Sequence, residues 1–250
     1  MDCIVQKDSV QLGDLPMART REFDAHVVLD RAMEMFWTKG YEATSLDDLC
    51  DATGLSRSSL YAAFGSKRNL LLQSVDRYVE RRAPEIAKVL AQPLPVRDAF
   101  AALARKFIDQ IVSGAGRRGC FLGNCAGELP RRDRAALARV RHGLARTEAT
   151  FRAALMRAAA AGELSSDADL DALARFITAG FQGLRLVGKV NPNRAFLEDI
   201  ATTMLRCLES STPRTGSLQS SREESDYDDQ AAPASSPARG QAARRQHVAS

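Results

Sequence analysis

The chain has 250 residues, of which 45% are hydrophobic, 26% are charged and only 6% are aromatic, and its formal net charge is +4. This length is enough for one or two domains that fold around cores of their own. Alanine, leucine and arginine are abundant, which favours helix, because these residues lose little conformational freedom in one. A net charge this small does not by itself indicate a nucleic-acid partner, since the placement of charge matters more than its sum.

The composition argues against several classes of protein. The five cysteines are an odd set without a CxxC spacing and there are only three histidines, so neither a disulfide framework nor a zinc site is indicated. No stretch approaches the ~20 uninterrupted apolar residues of a membrane span, and the first residues lack the apolar core of a signal peptide. We therefore expect a cytoplasmic protein with reduced thiols, without a metal or cofactor and without membrane association.

The N-terminal part of the chain divides into an irregular segment and a first helix. Residues 1–16 show no periodicity and are expected to be a disordered or non-native extension, with Met17 as a candidate start. Apolar residues then recur at helical spacing from Asp24, a suitable N-cap, to Lys39. Gly40 is placed to end this helix.

Two short helices joined by a tight turn are predicted next. Thr44 followed by Asp47 resembles a capping box with Asp in place of Glu, and opens a helix that ends at Gly54, a residue suited to a turn with positive φ. Ser56 opens the second helix, which runs to Phe64. This arrangement is the geometry of a helix-turn-helix that reads DNA.

A long helix leads from this segment into the rest of the chain. Ser66 is a suitable N-cap, and the apolar pattern runs toward Arg82, with Pro84 at or just past the expected end. Beyond it no strand pattern competes with helix. Further helices are predicted at about 96–112, 120–129, 132–161, 169–190 and 194–209, and a disordered tail at 211–250.

The second short helix has a polar outer face and a positive end. No acidic residue occurs between Ser56 and Arg68, so this segment is locally positive. The start of the long helix, at Ser66 and Lys67, adds backbone N–H groups and a dipole end that favour a phosphate. The residues on the outer face are Arg57, Ser58, Ser59, Tyr61 and Ala62.

The segment from Ala32 to Leu72 resembles the TetR/AcrR family of transcription repressors. Cys50 departs from the pattern, because the family more often has Ala there, but it fits the core face. The resemblance rests on many residue types in one register, which include Gly40, Tyr41, Thr44, Leu49, Gly54, Ser56, Leu60, Tyr61, Phe64, Ser66 and Lys67.

The resemblance implies an all-α protein that is not an enzyme. Its N-terminal part is a three-helix helix-turn-helix DNA-binding domain at 17–66, and a helical ligand-binding and dimerisation domain follows at 67–210. It also implies the partners: double-stranded DNA with a palindromic operator, a second copy of the chain, and an unknown small-molecule effector. The expected function is that of a ligand-responsive repressor, released from its operator by a small-molecule or electrophile inducer.

The resemblance also assigns the DNA contacts. Arg57 is the best candidate to read a guanine, because its planar fork matches O6 and N7. Three alternatives stay open: Arg57 pairs with Asp51, Tyr61 is a half-buried aromatic of the bundle, and Lys67 is an ordinary surface lysine. Base contacts are assigned to Arg57, Ser58 and Ser59, phosphate contacts to Tyr61 and Lys67, and backbone contacts to Thr44 and Ser45.

The central helices are expected to enclose the effector. Asn124 stands out, because a polar residue in an apolar run must find a partner if it is buried. Cys120 lies beside Arg117 and Arg118 near a helix start, and the segment is similar to one with which some family members sense oxidants or electrophiles. Plain packing in the core is the alternative for each candidate. The candidates are Phe107, Cys120, Phe121, Asn124, Phe151 and Phe181.

The helix at 169–190 carries an apolar stripe broader than one packing face requires. Small residues at Ala179, Gly180 and Gly183 permit another helix to approach closely. The resemblance implies that this helix and the next form a four-helix interface between two copies. An activator, an enzyme with an appended DNA-binding head and a non-specific architectural DNA protein are the rival functions.

Overall fold

The computed structural model describes residues 24–130 and 133–209, and the expected 1–16 extension and 211–250 tail lie outside these residues. Within them there is no β-strand, so the all-α prediction is confirmed. None of the described helices is long and apolar enough to cross a membrane. The helices are α1 (Ala25–Lys39), α2 (Leu46–Thr53), α3 (Arg57–Phe64), α4 (Lys67–Leu90), α5 (Val96–Val112), α6 (Phe121–Glu128), α7 (Arg134–Ala160), α8 (Leu170–Val187) and α9 (Arg194–Leu205), and a 3₁₀ turn follows at Arg206–Leu208.

Side-chain caps begin the helices of the N-terminal head, which we define as α1–α3. Asp24 accepts a hydrogen bond from the His26 N–H at 2.8 Å, and Ser56 accepts one from the N–H of Ser59 at 3.2 Å. Ser66 caps α4 in the same way. These three predicted caps are confirmed, and Gly54 ends α2 in the left-handed conformation with φ of 73°.

The predicted capping box at the start of α2 is wrong by one residue. The pair is Ser45 and Asp48: the Asp48 carboxylate accepts from the Ser45 N–H at 2.8 Å, and the Ser45 hydroxyl accepts from the Asp48 N–H at 3.1 Å. Thr44 and Asp47 have the same spacing, so the spacing alone does not decide. Burial decides it, because Thr44 is 1% exposed and its hydroxyl donates to the Gly40 carbonyl instead.

The helix α4 is longer than predicted and continues through Pro84 to Leu90. A proline inside a helix costs about 3 kcal/mol. The turns beyond Pro84 bury Ile86 and Leu90 against α5 and α7, and full burial of each such side chain contributes about 1.5–3 kcal/mol. Packing therefore outweighs the local penalty.

Two hydrophobic clusters form the core, and both include α4. We call α5–α9 the body, and the body cluster is centred on phenylalanine rings of α5, α7 and α8. The head cluster joins buried residues of α1–α3, such as Phe36 and Leu60, to Leu71 of α4 and Phe121 of α6. Because α6 packs in the head cluster, a movement of α6 would displace the head residues packed against it.

Candidate DNA-binding surface and ligand site

The helix α3 exposes the face that the sequence predicts. Leu60 and Phe64 are buried in the head cluster, and both were assigned to the core. Tyr61 is 43% exposed and belongs to neither cluster, so part of its ring is accessible to a partner on this face. The exposed residues beside it are Arg57, Ser58 and Ser59.

Arg57 pairs with Asp47 rather than with Asp51. Its Nη2 lies 2.6 and 2.7 Å from the two carboxylate oxygens of Asp47, and its Nε lies 3.0 Å from one of them. Both side chains are largely exposed, and ion pairs of this kind contribute little to stability because water and salt screen them. The pair can therefore open when Arg57 meets a better acceptor. Asp47 is a member of this surface that the sequence analysis missed.

The remaining predicted DNA contacts have different surroundings. The Lys67 ammonium lies 4.5 Å from the centre of the Tyr41 ring and 3.5 Å from the Glu42 carbonyl oxygen, at the first turn of α4. Ser45 is exposed and serves as the α2 cap. Thr44 is buried and its hydroxyl donates to the Gly40 carbonyl inside the head, so its side chain is not exposed toward a partner, and its contact with the DNA backbone stays a prediction.

Three of the predicted ligand residues are closely packed core rings. The Phe181 ring centre lies 5.6 Å from that of Phe107 and 5.4 Å from that of Phe151. All three are buried in the body cluster. This packing supports plain core for Phe151 and Phe181, whereas Phe107 also touches a buried charge described below.

The other three predicted ligand residues lie on or at the start of α6. Phe121 is buried against the rings of Trp37 and Tyr78, at 6.0 and 5.6 Å. Cys120 is buried, and its sulfur lies 3.7 Å from the Tyr78 hydroxyl. Asn124 is half-buried and satisfied within the chain, since it donates to the Arg118 carbonyl at 2.9 Å and accepts from the Lys189 ammonium at 3.1 Å.

A cavity of about 210 Å³ lies where the head meets the body, and we call it the junction cavity. The helix α1 supplies one wall, and α4, α5, α8 and the segment after α5 supply the others. It was not predicted, although Phe121, Cys120 and Phe107 touch residues of its wall. Its lining residues include Trp37, Tyr78, four arginines (Arg81, Arg82, Arg118, Arg185) and two glutamates (Glu34, Glu85).

Arg185 is the most buried charge of this wall, at 8% exposure. It donates from Nη1 to the Tyr78 hydroxyl at 3.2 Å and from Nη2 to the Gly119 carbonyl at 2.7 Å, and its Cζ lies 5.1 Å from the Phe107 ring centre. Burial raises the pKa of Tyr78, so its hydroxyl stays protonated and neutral.

Family models match both parts of the chain. The model described as bacterial regulatory proteins, tetR family, matches residues 28–73, and a tetracyclin repressor-like C-terminal domain matches residues 97–204. The chain belongs to the TetR family. It is a DNA-binding transcriptional regulator by this membership, and the matched N-terminal region contains the helix-turn-helix described above.

Individual TetR-family relatives agree with this. The HTH-type transcriptional repressor ComR of Escherichia coli is 35% identical over 206 residues, which are 80% of this chain and 95% of ComR. The HTH-type transcriptional regulator YezE of Bacillus subtilis is 32% identical over 77% of this chain and all of YezE. A cysteine mutant of the TetR-family regulator CifR, solved in complex with a 26-base-pair operator, has 31% identity and a TM-score of 0.68 over 75% of this chain and 98% of CifR.

In this TetR-family protein, polar contacts connect the head and the first turn of α4 to α6 and α7. The Glu128 carboxylate at the end of α6 accepts from the Tyr41 N–H at 2.7 Å, just after α1. Arg68 donates to the Asp133 carboxylate, the cap of α7, at 2.5 and 2.8 Å. These contacts hold the loop between α1 and α2, and the start of α4, against two helices of the body.

Proposed function

We propose that this protein is a homodimeric repressor that binds a palindromic operator in the cytoplasm and is released from it by a small-molecule ligand. The observation that carries the proposal is the solvent-exposed face of α3, on a helix whose opposite face is buried. Small hydroxyls, one aromatic ring and one arginine allow close approach to base edges and phosphates. The face consists of Arg57, Ser58, Ser59 and Tyr61.

The proposed dimer rests on the outer face of α8. Gly180 faces α9 of the same chain, because a Cβ there would clash with the Met204 sulfur. Gly183, in contrast, has nothing within 4 Å of the position of a Cβ, so no packing inside the chain requires it to be small. The exposed residues of α8 recur at spacings of three and four, as in a helix seam, and the exposed Val190 follows in the turn after the helix. The helical residues are Phe176, Ala179, Gly183 and Leu186.

The repressor mechanism follows from the placement of α4. In a dimer bound to DNA the two α3 helices lie about one DNA turn, roughly 34–36 Å, apart. The helix α4 begins at Lys67 beside α3 and ends at Leu90 in the body, so a tilt of α4 changes that separation. A ligand releases the DNA only to the extent that it binds the incompatible state more tightly.

The electrophile form of the proposal has less support than reversible ligand binding. Cys120 and Cys125 are both buried, and burial raises the pKa of Cys125 to about 12, which keeps it a thiol. Arg118, expected beside Cys120, instead pairs with Glu34 and lies 4.2 Å from the ring centre of Trp37. If a Cys120→Ser variant loses its response to diamide while the wild type keeps one, the electrophile form is the correct one.

The proposal is tested by a fluorescence anisotropy titration of the full chain against DNA flanking its own gene, at constant salt with excess random competitor. We expect tight binding by wild type and a loss of about tenfold or more in Tyr61→Ala. Met156→Ala is the matched control, because Met156 is an exposed apolar residue of α7, at 48% exposure, outside the head. Equal affinity of wild type and Tyr61→Ala would refute α3 as the DNA-binding element. A reporter fused to the same DNA separates repression from activation.

A further inference from the structure

The junction cavity contains a buried positive charge without a counter-ion. No carboxylate of the described residues lies within ion-pairing distance of Arg185, whose two hydrogen bonds go to a neutral hydroxyl and a backbone carbonyl. A guanidinium has five N–H donors, so several of them remain for another acceptor. Burying an unpaired charge is costly, and an acceptor that bears a negative charge would offset that cost.

The other charges of the wall are already paired. Arg82 donates to Glu85 at 2.7 Å, Arg118 pairs with Glu34, and Arg81 lies 3.2 Å from the Asp30 carboxylate. Arg81 shares Asp30 with Arg77, and Arg77 also lies 3.9 Å from Glu80, so two arginines face two acids there. Arg185 alone therefore leaves this group of charges with one net positive charge. That balance favours a ligand with one negative charge over a dianion, which the two glutamates would repel.

Two further donors at the cavity lack a partner. Trp37 Nε1 and Arg82 Nε are buried, and neither has a hydrogen-bond acceptor among the described residues. A buried donor without an acceptor costs about 1–3 kcal/mol, so native proteins rarely leave one empty. Both residues line the same cavity as Arg185, where an acceptor group would satisfy them.

The rest of the wall is suited to a hydrocarbon. The Trp37 and Tyr78 rings meet edge to face at 5.2 Å, and Met33 is a further apolar residue of the lining. A cavity of about 150 Å³ in another protein holds benzene. The 210 Å³ found here can therefore take one ring, or a short chain, that bears a carboxylate.

We propose that the junction cavity binds a small organic monocarboxylate, with its carboxylate on Arg185 and its hydrocarbon part against Trp37 and Tyr78. That such a ligand acts as the inducer rests on the proposed repressor function. The coupling is direct, since α1 of the head supplies Trp37 and Glu34 to the wall, and the body supplies Arg185 and Arg118. A ligand bound between these walls can therefore change the position of the head relative to the body.

The binding test uses the full chain and its own fluorescence. Trp37 is the only tryptophan of the sequence, so intrinsic tryptophan emission reports on the cavity wall itself. The probes are sodium benzoate and sodium butyrate, the neutral amides benzamide and butyramide, and inorganic phosphate. We expect saturable changes with at least one carboxylate and at least tenfold weaker binding of its amide and of phosphate. Equal binding of acid and amide, phosphate binding as tight as the carboxylates, or no carboxylate binding would overturn the proposal.

Variants locate the site. Arg185→Gln is expected to weaken carboxylate binding by about 10- to 100-fold, because a charge-assisted hydrogen bond is lost. Arg175→Gln is the matched control, since Arg175 is an exposed arginine of the same helix. The affinity of this variant for the carboxylate should equal that of wild type. If thermal unfolding shows that Arg185→Gln does not fold, Trp37→Phe, followed by calorimetry, is expected to bind several-fold more weakly. Unchanged binding in the folded Arg185 variant, or in Trp37→Phe when that variant replaces it, would refute the site.

DNA anisotropy, measured separately, distinguishes the two proposals. If the protein binds the operator but no carboxylate, the proposed repressor function still stands and the proposed carboxylate site is refuted. Carboxylate binding at Arg185 that does not weaken operator binding would keep the site and remove its role as an inducer site. Release of the operator by the same carboxylate, at concentrations that change Trp37 emission, supports both.

Discussion

Leu186 offers the sharpest test of the proposed dimer. It lies in the last turn of α8, on the exposed stripe, and is 65% exposed in the single chain. Leu186→Ala therefore removes almost no packing within the chain, and its unfolding free energy as a monomer should change little. Any large effect must come from a partner that covers this face.

The magnitude follows from that exposure. Full burial of a leucine side chain contributes about 1.5–3 kcal/mol, so covering the exposed share of Leu186 is worth about 1–2 kcal/mol in each copy. A symmetric dimer contains the residue twice, which gives about 2–4 kcal/mol. The dimer dissociation constant of Leu186→Ala should then be roughly 30- to 700-fold higher than that of wild type.

The assay is mass photometry or analytical ultracentrifugation over a dilution series. Met156→Ala is again the control, because Met156 is a similarly exposed apolar residue on α7, and its dissociation constant should match that of wild type. Operator affinity should fall in Leu186→Ala at protein concentrations below its dissociation constant and recover above it. If Leu186→Ala dimerises as tightly as wild type, the partner does not cover this face and the reasoning fails.

Three further predictions concern packing, charge and acid stability. Gly180→Ala should lower the free energy of unfolding, measured in urea, by about 1–3 kcal/mol, because the added methyl meets the buried Met204. Gly127→Ala has open space around it and should be neutral or stabilising. Equal effects of the two substitutions would contradict the close contact of α8 and α9. Lys67→Ala should make the slope of log affinity for DNA against log salt concentration shallower by about 0.9. Lys88→Ala, at the far end of α4, should leave this slope unchanged. Parallel slopes for wild type and Lys67→Ala would show that Lys67 does not contact a phosphate. The hydrogen bonds from Arg68 lower the pKa of Asp133 to about 2 in the folded protein, so stability is lost as the pH falls from about 4 to 2. In a plot of the urea unfolding midpoint against pH, Asp133→Asn should therefore flatten the part between about pH 4 and 2. An unchanged plot would show that the pair of Arg68 and Asp133 does not contribute to stability.

Local sequence rules predict the head well and the helix ends of the body less well. The caps at Asp24, Ser56 and Ser66 act within three residues, so spacing identifies them. The continuation of α4 past Pro84 depends on burial of Ile86 and Leu90 by distant helices, which spacing does not report. The choice of Ser45 over Thr44 depends on burial in the same way.

The junction cavity escaped prediction because its parts are far apart in sequence. Arg185 meets Tyr78 and Gly119 across 107 and 66 residues, and no motif joins them. One pattern does point to it: Arg185 follows the buried positions Ile177 and Phe181 at a spacing of four, so helical periodicity places a charge on the inner face of α8. A charged residue on such a face predicts a buried site.

Binding of a specific operator by a dimer of this TetR-family protein can be measured by nuclease footprinting on the DNA that flanks its own gene. We expect protection of two half-sites about one helical turn apart, bound by two chains, and affinity at least about 10³-fold above that for a scrambled sequence at the same salt. Even, weak protection along the whole fragment, with no preference over the scrambled sequence, would refute specific operator binding.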